Sequence, residues 1–274
     1  MVGGNLIMAS HAFAICAYGQ SPYLRECIES VLNQQDGDDH PVKSEVFIAT
    51  ATPSAWLDGI AADYGLAVVV NDGEHGIGQD WNFAYSQATA DYITITHQDD
   101  VYCPRYASTA ISALSRSGSS LIFFSDYGEL RAGRRVDENR LLSTKRRLLA
   151  PLKDGRNADS ISRRRRVLSL GSPICCPSVT FNRRNCPNPP FEVTMKCSLD
   201  WDTWEHLSRL EGGFYYSSDI LMYHRIHEDS ATSSYIEDNT RANEDLELFR
   251  RFWPSPIAKI ISRAYSSSEK SNDA

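Results

Sequence analysis

Short apolar runs alternate with stretches of helical spacing through the first half of the chain. Phe13-Ala14-Ile15-Cys16-Ala17 reads as a buried strand, and Tyr18-Gly19-Gln20 breaks it. Ser21 then stands where a side chain can cap a helix, with Pro22 at the first helical position, where a missing N–H costs little. Leu24, Cys27, Ile28, Val31 and Leu32 recur at helical intervals, so the spacing predicts a helix over 22–34 with one face against a sheet. The unit repeats as strand 46–50, helix 54–64, strand 67–71, helix 78–89, strand 92–96, helix 104–114 and strand 121–125. Strands separated by such helices predict an α/β fold whose central sheet is mostly parallel and covered by helices on both faces.

The pattern changes over 131–169, which is dense in arginine, with Lys145-Arg146-Arg147 and the run Arg163 to Arg166. A helix is expected near 140–150; the rest reads either as a loop over a ligand or as an exposed basic connector. Order returns at Ile174, with a helix over 200–207 ending before Gly212-Gly213, a strand within 214–224, and a helix over 241–252 that Pro254 ends. A polar tail begins at Ser266. The organisation expected is an α/β half over 1–130, a basic connector and second half of the same domain over 131–265, and a flexible tail over 266–274.

Composition narrows the class. At 274 residues, with 42% hydrophobic and 23% charged positions, the chain is globular rather than collagenous, coiled-coil or wholly disordered. The formal net charge of −7 argues against a general DNA or RNA binder. That average hides four basic against 16 acidic residues over 1–130, and 15 against four over 131–184. So local a positive region suits a phosphate-bearing ligand or an anionic surface, or is a solvated face. Seven cysteines, with Cys175 and Cys176 adjacent and no Cys-x-x-Cys pair, fit a reducing compartment rather than a disulfide scaffold. Neither a secretory leader nor a run long enough to span a bilayer is read, so a cytoplasmic protein is expected, with peripheral membrane contact left open.

The strongest chemical signal is Thr96-His97-Gln98-Asp99-Asp100, directly after a predicted strand. Ligands of open parallel sheets gather at the carboxyl ends of strands. Two adjacent carboxylates there need a cation, a proton or strong hydrogen-bond donors, and Mg²⁺ or Mn²⁺ suits oxygen ligands shared with a diphosphate. Capping of the helix near Pro104 accounts for the same acids. Asp200 either caps its helix or enters the cleft, while Asp202, two positions on, points elsewhere. In His224-Arg225-Ile226-His227, strand alternation sets His224 with Ile226 and Arg225 with His227; His227 is a metal ligand or a structural histidine. The glycines around His75-Gly76-Ile77-Gly78 match neither a dinucleotide fingerprint nor an ATP-binding phosphate loop.

The order of these motifs resembles glycosyltransferase family 2, whose catalytic domain has the GT-A fold. Phe13 to Leu24 is similar to the family's opening strand and nucleotide loop, and Glu26 to Gln34 to its next helix. Asn82, Ala84 and Ala88 to Ile93 continue the pattern into His97-Gln98-Asp99-Asp100. Asp200-Trp201-Asp202-Thr203-Trp204 resembles the acceptor-side acidic motif, and Tyr223 to Thr232 a late segment of the domain.

The resemblance implies that Tyr18 lies near the nucleotide base and Asp99 binds a divalent metal, Mg²⁺ or Mn²⁺, on the diphosphate. Asp100 adds a site carboxylate and a second metal contact. His227 contacts metal or phosphate, and Arg225 touches the sugar-nucleotide. Asp200 removes the acceptor hydroxyl proton. It further implies a metal-dependent inverting glycosyltransferase, with a nucleotide-sugar donor, a saccharide or lipid-linked saccharide acceptor, and Arg163 to Arg166 covering the diphosphate or meeting an anionic acceptor. Three positions depart from the family: His97 replaces the first acid of Asp-x-Asp, Thr50-Ala51-Thr52-Pro53 replaces Asp-Asp-Gly-Ser, and Trp81 replaces a basic residue near phosphate. A nucleotide-sugar hydrolase, a nucleotidyltransferase and a non-catalytic sugar-nucleotide or glycan binder are the competing readings.

Overall fold

The computed structural model describes residues 10–227 and 240–270. Its strands are β1 (His11–Ala17), β2 (Glu45–Thr50), β3 (Ala67–Val70), β4 (Tyr92–His97), β5 (Val101–Tyr102), β6 (Ser120–Arg131), β7 (Arg134–Val136), β8 (Val179–Asn182) and β9 (Gly213–Ile226). The helices are α1 (Leu24–Leu32), α2 (Ala55–Tyr64), α3 (Ile77–Gln87), α4 (Tyr106–Leu114), α5 (Arg140–Leu149), α6 (Ile161–Leu168), α7 (Leu199–Leu207), α8 (Thr240–Arg250) and α9 (Ser255–Lys270).

One mixed sheet runs in the order β3-β2-β1-β4-β8-β6-β9-β5, with β7 paired to β6. β1, β2, β3 and β4 are mutually parallel, and β6 is parallel to β9. β8 runs against both β4 and β6, and β5 and β7 are antiparallel additions. The mostly parallel sheet is therefore present, with three short reversed strands the apolar pattern did not reveal.

Alternation along the strands separates two cores. Ala12 and Ala14 of β1, Phe47 and Ala49 of β2, and Ile93 and Ile95 of β4 face α3, α7 and the two last helices. Phe13, Ile15 and Ile48 face α1, α2 and α4. Helix α2 starts as its sequence suggests, with Ser54 Oγ accepting from Leu57 N. Ser21 does something else. It lies outside α1, whose first flanking residue is Tyr23, and its hydroxyl turns to Asp99.

The arginine run forms α6, and its two middle members brace the end of α7. Arg164 is fully buried and donates to the carbonyls of Ser208, Leu210 and Gly212. Arg165 pairs with the buried Glu205 at 2.6 Å and donates to the Arg251 carbonyl. A guanidinium suits this place because its fork of donors serves several carbonyls at once. Arg164→Ala strands those carbonyls and is expected to lower the unfolding free energy by about 3 kcal/mol, read from the urea midpoint. Arg163→Ala and Arg166→Ala, on the exposed side of α6, should each stay within about 0.5 kcal/mol.

The C-terminal end also differs from expectation. Pro254 ends α8, but a second helix, α9, continues to Lys270 where a frayed tail from Ser266 was expected. Tyr265 of α9 packs edge-on against Phe249 and lies near Trp201, so aromatic contacts hold this helix down. No helix among the described residues is long and apolar enough to cross a membrane. Cys16, Cys27, Cys103, Cys175, Cys176 and Cys186 are free thiols.

Candidate active site

Sheet order fixes where a ligand can sit. β1 has β2 and β3 on one side and β4 on the other, so the connections reverse direction between β1 and β4 and open a crevice beyond their carboxyl ends. Tyr18 leaves β1 there, His97 ends β4, and residues 224–227 arrive at the end of β9. The loops are tied across the crevice. Gln98 accepts from Tyr18 N at 3.1 Å and donates to Tyr18 O at 2.9 Å, while Gly19 N donates to Thr52 Oγ1 at 2.8 Å. The Tyr18 side chain is left 73% exposed, open to a stacking partner.

Asp99 and Asp100 part company at this edge. Asp99 Oδ1 accepts from Ser21 Oγ, and its Oδ2 lies 3.3 Å from His227 Nε2, with both side chains partly exposed. Asp100 is buried, and its Oδ1 accepts from His224 Nδ1 and Arg225 N, each at 2.9 Å. Burial opposes the Asp100 charge, yet the His224 ring and the Arg225 N–H hold its carboxyl below the ordinary range. In return, Asp100 lifts the His224 ring above its usual value against the pull of burial. A carboxylate so engaged orients the end of β9. Asp100, expected to bind metal through water or to orient the sugar beside Asp99, is thus engaged inward through its Oδ1.

Two further expectations change. Arg225 is 6% exposed and its guanidinium donates to the Asp99 carbonyl, pairs with Glu26 and lies 4.1 Å over the Tyr23 ring. It is a brace for the acidic turn rather than a contact for a sugar-nucleotide. The two histidines, set on opposite faces by strand alternation, instead both reach the acidic turn, because His227 lies beyond the last residue of β9. Residues 228–232 of the late segment lie outside the described residues.

The second acid sits at the start of α7. Asp200 Oδ1 accepts from Trp201 N at 2.7 Å, and burial raises its carboxyl above the ordinary value despite that N–H and the charges of Arg241 and Lys145. Lys145, from the basic helix α5, donates to Tyr127 Oη at 2.9 Å, and its charge is felt at both Asp200 and His224. Asp202 turns away as expected, paired with Arg251.

Contacts join the start of α7 to the end of β4. Leu199 lies against Gly78 of α3, so that a Cβ there would meet its methyl groups at 3.0 Å. Asn82 clasps the Phe191 backbone, donating to its carbonyl at 2.8 Å and accepting from its N–H at 3.0 Å. Trp81 stacks on His97, with ring centroids 4.9 Å apart and planes 19° from parallel. Ser21, His224 and Lys145 were not singled out as site residues by sequence. Ser21 read as a helix cap, His224 as the wrong face of a strand, and Lys145 as one cation among many.

Asp99 and His227 fit a divalent cation. One carboxylate oxygen and one imidazole nitrogen at this separation can occupy neighbouring positions around a Mn²⁺ or Mg²⁺ ion. A separate cluster, Asp36, Asp38 and His40, has ligand atoms within 4.8 Å of one another. There, however, Asp36 Oδ1 accepts from the N–H groups of Asp38 and His40, so the cluster is accounted for as a turn.

No curated protein matches the sequence. Among solved structures, the mannosyltransferase PcManGT from Pyrobaculum calidifontis, in complex with GDP-Man and Mn²⁺, superposes with a TM-score of 0.59 at 14% identity, over 95% of this chain and 70% of that one. S. aureus TarS 1–349 in complex with UDP-GlcNAc gives 0.58 at 16% identity, over 92% and 70%. Glucosyl-3-phosphoglycerate synthase from Mycobacterium tuberculosis, in complex with Mn²⁺ and UDP-Glc, gives 0.52 at 14%, over 90% and 80%. The chain spans 42% of the longer TarS structure. These likenesses establish a GT-A-like fold. The profile of Glycosyl transferase family 2 matches residues 12–186, from β1 through the acidic turn to β8, and it is to this family that the chain belongs.

Proposed function

We propose that the protein is a metal-dependent inverting glycosyltransferase that moves a sugar from a nucleotide-sugar to a hydroxyl of a saccharide or lipid-linked saccharide. The observation that carries this reading is the pairing of Asp99 Oδ2 with His227 Nε2 at the sheet's switch point, in a chain whose second candidate acid, the half-buried Asp200, heads a neighbouring helix. A divalent cation held by Asp99 and His227 supplies charge neutralisation for a departing diphosphate. Ser21 and Arg225 fix the Asp99 turn, and Asp100 with His224 fixes the end of β9. Tyr18 offers its ring to the nucleotide base.

Asp200 accepts the proton of the attacking hydroxyl. The new bond forms between that oxygen and the anomeric carbon as the bond to the diphosphate oxygen breaks. A single displacement of this kind inverts the anomeric centre, by the same facial logic that separates the two classes of glycoside hydrolysis. Free thiols at Cys16, Cys27, Cys103, Cys175, Cys176 and Cys186 support a cytoplasmic site of action.

The test is a screen of nucleotide-sugars with and without Mn²⁺, followed by NMR of the product's anomeric centre. Inverted product formed only with the ion is expected. Retained configuration would overturn the single displacement, free sugar without transfer would indicate a hydrolase, and pyrophosphate release a nucleotidyltransferase.

A further inference from the structure

We propose that Trp81 and His97 form the platform that recognises the transferred sugar, the indole meeting the C–H face of a hexopyranose and His97 Nε2 hydrogen-bonding one of its hydroxyls. This inference rests on the glycosyltransferase reading and adds the sugar-selecting element to it.

Placement is the first argument. Ile93, Ile95 and His97 alternate onto one face of β4, and α3 carries Trp81 over that same face. His97 is two residues before Asp99. Trp81 also meets the Phe191 ring, tilted by 57° at 5.2 Å, and Phe191 is clasped by Asn82, the next residue of α3. One turn earlier, Gly78 touches Leu199, the residue before Asp200. The indole therefore lies on the path of contacts leading from Asp99 to Asp200, the interval in which a sugar must rest if phosphate leaves at one acid and an alcohol enters at the other.

Unmet bonding capacity is the second. His97 Nε2 is buried and has no hydrogen-bond partner, and its other nitrogen is 3.9 Å from Asp100 Oδ2, too far for a hydrogen bond. An imidazole nitrogen can donate or accept, so a sugar hydroxyl can meet Nε2 in either sense. A polar nitrogen left unpaired beside a stacked indole is costly, and a ligand hydroxyl relieves it. Both side chains stay partly exposed, so a ligand can reach the pair. An aromatic face with a few convergent polar groups is the usual make-up of a small-molecule site.

The test compares sugar nucleotides with the same nucleotides lacking sugar. With Mn²⁺ present, binding of UDP-glucose against UDP and of GDP-mannose against GDP is measured by calorimetry. Trp81→Ala should weaken whichever sugar nucleotide the wild type binds by about tenfold and leave the matching nucleoside diphosphate within about twofold. Trp81→Phe should recover most of the loss. His97→Ala should show the same selective loss, and His97→Gln, which keeps a hydrogen-bonding group, should lessen it. Equal weakening of both ligands, or no weakening of either, would overturn the platform while leaving the glycosyltransferase reading intact. A wild type that binds none of the four probes with Mn²⁺ would remove both.

Discussion

Asp99→Asn is expected to lose cation-supported binding of a nucleoside diphosphate and to slow transfer by about 100-fold or more. The amide keeps the shape of the carboxylate and can still accept from Ser21, so the turn should stay folded. What disappears is the negative charge beside His227 Nε2. Mn²⁺ binding followed by electron paramagnetic resonance, and UDP or GDP affinity with and without Mn²⁺, report this directly. The wild type should bind the nucleotide more tightly with the ion, and the variant should show little difference. Asp100→Asn serves as the contrast, because its carboxylate faces His224 and the Arg225 N–H inside the protein. It should lower stability and disturb the end of β9 more than it alters cation affinity. Unchanged Mn²⁺ affinity and turnover in Asp99→Asn would remove this acid from the metal site.

The strand–helix alternation was legible because the central parallel strands β1 and β4 are buried on both faces and read as an apolar run at Phe13 to Ala17 and a run of β-branched residues at Ile93 to Thr96. The reversed strands were not. Val179–Asn182 has four residues and Val101–Tyr102 two, too few for a period to show. Helix α6 escaped because Arg164, a residue that pattern reading places outside, is buried with Val167 and Leu168 on its inner face. A guanidinium buried against three carbonyls looks, in sequence, the same as one in solvent.

The site shows a similar division. Asp99, Asp200 and Tyr18 follow strand ends and a helix start, positions that sequence order can locate. The partition of work between Asp99 and Asp100 cannot be read that way, since adjacent carboxylates are chemically alike until a fold points one outward and one inward. The same holds for Arg225, whose partners Glu26 and the Asp99 carbonyl come from segments far away in sequence. His224 and His227 defeat strand alternation because the strand stops between them. Ser21 has two assignments by chemistry alone, a helix cap or a partner for a carboxylate, and only the position of β4 beside β1 decides.

Asp200→Asn should abolish most transfer while sparing the binding of the sugar nucleotide. Removing a general base costs typically about 10²–10⁴-fold, so kcat should fall within that range with little change in nucleotide affinity. The direction of the Asp200 shift adds two further expectations. Burial raises its carboxyl above the ordinary value, so the base becomes competent only as pH climbs through that raised value. The acid limb of kcat/KM in the wild type should therefore lie higher than for an exposed carboxylate, and the variant's residual activity should lack that limb.

Stability should move the other way. A carboxyl whose folded-state value is raised favours the native state most fully below its unfolded value, and that advantage is lost as pH rises through the folded value. At pH 7 the ionised Asp200 is thus a burden on the fold, and the uncharged amide should hold or raise the thermal midpoint. A carboxylate that only supports its helix predicts the opposite, because losing its negative charge in the first turn of α7 would then only weaken the helix. A variant that transfers sugar at the wild-type rate, or that loses activity only in step with a falling thermal midpoint, would strip Asp200 of the role of base.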